Sequence, residues 1–134
     1  MTTFDEYQCE ARRTQNTALP GWAQREHALY GLAAEVGEVL GLHQKVHQGH
    51  PMDDTALRLE IGDVLWFIAE LCDVYGWHMS EIAAANIAKL RNRYHDRFTV
   101  EESINRVEYR EKKYKPKGTP VRSRYYSSMK EGKV

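Results

Sequence analysis

Two long stretches of this chain space their apolar residues for helix, and each carries a matched pair of acids beside that stripe. Leu29, Leu32, Val36, Val39 and Leu40 keep the period in the first stretch; Leu57, Ile61, Val64, Ile68 and Leu71 keep it in the second. Alternation of Val and Ile long enough for a strand is missing, so the expected class is all-α. The acids are Glu35 with Glu38, and Glu60 with Asp63, each pair at i,i+3. Residues three apart are neighbours on a helix, and like charges so placed destabilise it by roughly 0.2–0.5 kcal/mol. A hard divalent cation is the natural compensation, because Mg²⁺ takes oxygen ligands and keeps waters that a phosphate can displace. Gly37 and Gly62 lie inside the pairs. Each costs roughly 1 kcal/mol against Ala, which is tolerable where a helix or ligand must approach.

Local signals set the helix ends. Thr3 with Glu6 reads as a capping box for a first helix running to about Thr14. A second is expected from Trp22 to Gln48, stopped by Gly49-His50-Pro51, and a third from Asp53 or Asp54 to Tyr75, stopped at Gly76. Ser80 is placed to cap a fourth helix that contains Asn86, Lys89 and Arg93, and Thr99 with Glu102 opens a fifth from Val100 to Lys112. Past Tyr114 no apolar period survives. The expected organisation is a bundle of four to five helices over residues 1–112 and an irregular basic tail over 113–134.

The length of 134 residues suits one domain that buries roughly two-thirds of its unfolded surface. Net charge is zero, yet residues 1–100 hold 9 basic and 14 acidic side chains while 101–134 hold 10 and 5. An acidic body fits a cation site, and a basic end fits an anionic partner. Cys9 and Cys72 lack metal-ligand spacing and are expected to act as small hydrophobes in a reducing cytoplasm. The N-terminus has no basic-then-apolar pattern of a signal peptide, and the apolar stretch near residues 64–72 is too short to span a bilayer.

Glu35-Val-Gly-Glu38, then Glu60-Ile-Gly-Asp63-Val-Leu-Trp66, then Asn86-Ile-Ala-Lys89-Leu-Arg-Asn-Arg93-Tyr together resemble the MazG-like all-α nucleoside triphosphate pyrophosphohydrolases over about residues 22–98. The resemblance implies that Glu35, Glu38, Glu60 and Asp63 hold Mg²⁺, with Mn²⁺ able to substitute. It implies cleavage of an NTP or dNTP between the α- and β-phosphates, giving a nucleoside monophosphate and pyrophosphate. It also implies a homodimer or homotetramer with substrate near the subunit junction. Many members carry a further leading Glu where Ala34 stands here, so four carboxylates are expected and not a fifth. Phosphoryl chemistry needs charge neutralisation and positioning more than a covalent nucleophile, which agrees with such a site.

Glu38 is the first candidate to take a proton from the attacking water. Asn86, Lys89 and Arg93 recur at i, i+3 and i+7, so Lys89 can act as a point charge on a triphosphate, Arg93 as a fork and Asn86 as an orienting amide. Lys45, seven residues beyond Glu38, is a further phosphate candidate, although it also suits a helix C-terminus. Trp22, at a loop–helix junction, is the best-placed aromatic for stacking a base. His43, His47 and His50 tempt a zinc reading, but no Cys accompanies them and no catalytic Glu lies between His43 and His47. The competing reading is a non-catalytic helical metal-binding or interaction module whose basic tail contacts nucleic acid, a partner otherwise disfavoured. A ferritin-like di-iron centre would need Glu-x-x-His, which neither pair supplies.

Overall fold

A computed structural model describes residues 2–94 and 96–104, and these form five α-helices and no strand. Helix α1 spans Phe4–Arg12. Its capping box is formed in full: the Thr3 hydroxyl accepts from the Glu6 amide at 3.2 Å while the Glu6 carboxylate accepts from the Thr3 amide at 2.7 Å. α1 ends before Thr14, whose hydroxyl donates to the Ala11 carbonyl at 2.9 Å. Helix α2 spans Gly21–His47, and Gly49, at φ 94°, turns the chain so that the His50 amide reaches the Lys45 carbonyl at 3.1 Å. Only glycine takes that φ without strain.

Helix α3 spans Asp54–Tyr75, capped by Asp53 through the Ala56 amide and ended by Gly76 at φ 68°. Helix α4 spans Met79–Arg93, so it starts one residue before the expected cap, Ser80. The reason is tertiary. The Met79 amide donates to Oε1 of Gln8 at 2.9 Å, and an α1 side chain thereby satisfies a helix-start donor. Helix α5 is described over Val100–Ile104, with Thr99 accepting from the Glu102 amide at 3.2 Å. Its expected continuation to Lys112, and the basic tail, lie outside the described residues.

The chain divides into two compact units, the first reaching Met79 and the second beginning at Ser80. In the first unit α3 is the central element, packed by α2 and by α1. It runs antiparallel to α2: His27 meets Glu70, Gly31 meets Phe67, and Glu35 meets Asp63. Among the described residues the buried set is small. Its apolar members are Ala11, Ala28, Ala69, Cys72 and Met79, and its polar members Gln8 and Glu70. All the apolar ones but Ala28 form one cluster, with Tyr7, Leu65, Trp66 and Ile68 packed around it.

The periodic apolar residues of α3 are expected to be its buried stripe, and Cys9 to act as a small packed hydrophobe; both expectations need correction. The α3 stripe is not uniformly buried: Ile61 is exposed, Leu57, Val64, Ile68 and Leu71 are half-buried, and the deepest residues are Ala69, Glu70 and Cys72. A small α1 and one flank of α2 cannot cover the whole stripe. Cys9 is exposed rather than packed, whereas Cys72 is buried; both are free thiols. No described helix is long and apolar enough to cross a membrane.

Candidate metal centre

Antiparallel packing of α2 and α3 brings one acid of the first pair against both acids of the second. Glu35, Glu60 and Asp63 each offer a carboxylate oxygen, and these oxygens lie within 4.8 Å of one another. An octahedral Mg²⁺ holds its ligands at about 2.1 Å, so opposite oxygens stand about 4.2 Å apart. Adjacent oxygens stand about 3.0 Å apart, so the three side chains must draw together by roughly one to two ångströms to share one ion. No hydrogen-bond donor engages these carboxylates among the described residues, and the donor set is hard oxygen throughout, which suits Mg²⁺ or Mn²⁺.

The electrostatics carry the same message. Partial burial pushes the Glu35 carboxyl up, and the charges of Asp63, Glu60 and Glu38 push it further. Among the described residues, protein groups supply repulsion here and no compensation. Glu38 is exposed on α2, and its charge is the smallest of those acting on Glu35. The gathered set is Glu35, Glu60 and Asp63, without Glu38.

The remaining candidates are placed as follows. Lys45 and Trp22 are exposed on α2. Asn86 and Lys89 are exposed on α4, and Arg93, at its end, is half-buried with its guanidinium 5.7 Å from the Tyr94 ring centroid. His43, His47 and His50 are exposed and join no group able to hold a metal among the described residues. Around Gly37 and Gly62 there is open space: a Cβ at either would meet nothing within 4 Å. The close approach expected at those glycines is therefore not made by the described chain. It occurs at Gly31 instead, where a Cβ would fall 2.0 Å from the Phe67 ring.

Several polar residues that reasoning from the sequence passed over hold the site's frame. Glu70, 2 % exposed, accepts from or shares a proton with Nδ1 of His27 at 2.9 Å. The His27 ring lies 5.5 Å from Phe67 and edge-on to Trp66. Gln8 is buried and uses its whole amide, donating to Asp73 at 2.7 Å and to the Trp77 carbonyl at 2.9 Å while capping Met79. Arg12 and Gln15 also converge on Asp73. Burial pushes the Asp73 carboxyl up, but the hydrogen bonds from Arg12, Gln8 and Gln15, with the charge of Arg12, outweigh it and hold the group below its usual range. Tyr7 directs its hydroxyl to the Gly62 carbonyl at 3.4 Å, and burial followed by the charge of Asp63 raises its phenol. A charged residue inside the apolar run Ile68-Ala69-Glu70-Leu71-Cys72 was the available signal for the His27 pair.

Neither a curated protein nor a solved structure matches this chain. The family model for the MazG nucleotide pyrophosphohydrolase domain does match, over residues 24–98. That segment is more than half the chain and contains all of the gathered carboxylates. Five helices without strands among the described residues, with acids converging from two antiparallel helices, agree with it, and the chain belongs to the MazG nucleotide pyrophosphohydrolase family.

Proposed function

We propose that this protein is a Mg²⁺-dependent nucleotide pyrophosphohydrolase that cleaves an NTP or dNTP between the α- and β-phosphates. The observation that carries the reading is the convergence of Glu35, Glu60 and Asp63 oxygens inside the family-matched segment. In this reading those three carboxylates, with Glu38 beside them, hold the divalent ion. A bound ion there supplies charge neutralisation for the phosphates and acidifies a water. Glu38 takes the proton of the attacking water. Lys45, Asn86, Lys89 and Arg93 bind the triphosphate by charge and hydrogen bonds, and Trp22 stacks on the base.

Association of copies belongs to the same proposal. Trp22, Leu29, Val36 and Leu40 are all exposed and fall on a single stripe of α2, spaced by seven, seven and four residues. A stripe of that kind suits a second amphipathic helix, and a dimer or tetramer would bury it.

The test is a product assay. Purified protein with Mg²⁺ and a panel of NTPs and dNTPs should release pyrophosphate, and Asp63→Asn or Glu60→Gln should abolish release. Orthophosphate as first product would overturn α–β cleavage. No turnover with any nucleotide, together with tight salt-sensitive nucleic-acid binding, would favour the non-catalytic alternative.

A further inference from the structure

The gathered carboxylates come from α2 and α3, but a third helix reaches their edge. Tyr7 stands on α1, outside the family-matched segment, with its ring packed against the core of Ala11, Ala69, Cys72 and Met79. Its hydroxyl points to the carbonyl of Gly62, the residue between Glu60 and Asp63. That carbonyl belongs to the peptide unit that carries Asp63. At 3.4 Å the bond is long for a hydroxyl donor, so it restrains the hydroxyl weakly and leaves it able to turn. A Cβ built at Gly62 would meet nothing within 4 Å, so no side chain beyond its chain neighbours packs on that α carbon among the described residues.

A carboxylate that ligates a metal keeps an outward lone pair that is ordinarily hydrogen-bonded, and such outer partners orient the ligand. No described residue donates to Asp63. We infer that Tyr7 is a positioning residue for the metal centre: its single O–H donates to the Gly62 carbonyl in the metal-free protein and turns to donate to Asp63 when a divalent ion is bound. The inference rests on the metal-site reading above and extends it to a helix that the family match does not include. The rest of α1 is fastened to α3 independently, through Gln8 and Arg12 to Asp73, with Gln15 adding a contact just beyond the helix. Loss of the hydroxyl should therefore leave the helix docked.

The experiment is a Mn²⁺ titration followed by electron paramagnetic resonance on the whole chain, with thermal unfolding of the metal-free protein measured alongside. Tyr7→Phe keeps the packed ring and should weaken Mn²⁺ binding by about 3- to 10-fold, with little change in unfolding temperature. Gln15→Ala removes a contact between the α1 region and α3 away from the acids. It should lower the unfolding temperature and leave Mn²⁺ affinity unchanged. Wild-type affinity in Tyr7→Phe would overturn the inference and leave the metal site standing. Equal weakening by Gln15→Ala would overturn it too, by reducing the effect to helix docking. Failure of the wild-type protein to bind Mn²⁺ would overturn the metal-site reading itself, and this inference with it.

Discussion

Asp73 and Glu35 are carboxylates of the same unit whose surroundings act in opposite directions. Asp73 gathers donors from Gln8, Arg12 and Gln15, which hold its proton affinity below the free value of 3.8. A depressed acid stabilises the fold above its unfolded value, and that contribution is lost as pH falls below 3.8 through the folded value. Asp73→Asn should therefore lower the urea midpoint at neutral pH and show a shallower loss on acidification than wild type. Asp73→Ala should cost about 1.5–3 kcal/mol, because Gln8 then keeps a buried donor without its acceptor. The figure stays below that for a fully buried pair because Arg12, 61 % exposed, returns to water. Glu35 is raised above its free value of 4.5, so the sign reverses. Without metal its charge opposes folding as pH rises through the carboxylate range. Glu35→Gln should slightly raise the unfolding temperature of the metal-free protein at neutral pH, and should remove the Mg²⁺-dependent stabilisation that the proposed site predicts for wild type.

At the scale of elements, spacing located the acids but did not sort them. After Glu35/Glu38 on α2 and Glu60/Asp63 on α3, Glu70 and Asp73 form a third i,i+3 pair, the second on α3, ten residues further on. Packing splits this third pair: Glu70 turns to His27 on α2 and Asp73 to α1. The glycines divide in the same way. Gly37 and Gly62, singled out because they interrupt acidic pairs, face open space, whereas Gly31 seats Phe67. Gly31→Ala should destabilise by about 1–3 kcal/mol through overpacking. Gly37→Ala should instead stabilise the metal-free chain by about 0.5–1 kcal/mol, since helix propensity is the only change. Denaturant unfolding of the two variants separates these outcomes by sign. Helix limits were legible because their signals are local: Thr3, Asp53, Gly49 and Gly76 act within a few residues. The start of α4 was not, because its cap comes from Gln8, 71 residues away.

For the molecule as a whole, a small buried core and a long exposed apolar stripe on α2 set the next question. If copies associate along that stripe, sedimentation should give a mass at least twice the 15.6 kDa of the chain. Leu29→Glu with Leu40→Glu should then shift it to the single-chain mass while helical content is kept. A single-chain mass for wild type would remove association from the proposal. The amino-acid pattern alone determined the helical class, the element order and which acids are available, because 3.6-residue periodicity, caps and i,i+3 spacing are written within a single helix. Only the tertiary structure decided which acids come together. Antiparallel contact of α2 with α3 gathers Glu35, Glu60 and Asp63 and leaves Glu38 outside the cluster, while docking of α1 brings Tyr7 to their edge. Those choices depend on which faces meet across gaps of tens of residues, and no spacing within one helix encodes them.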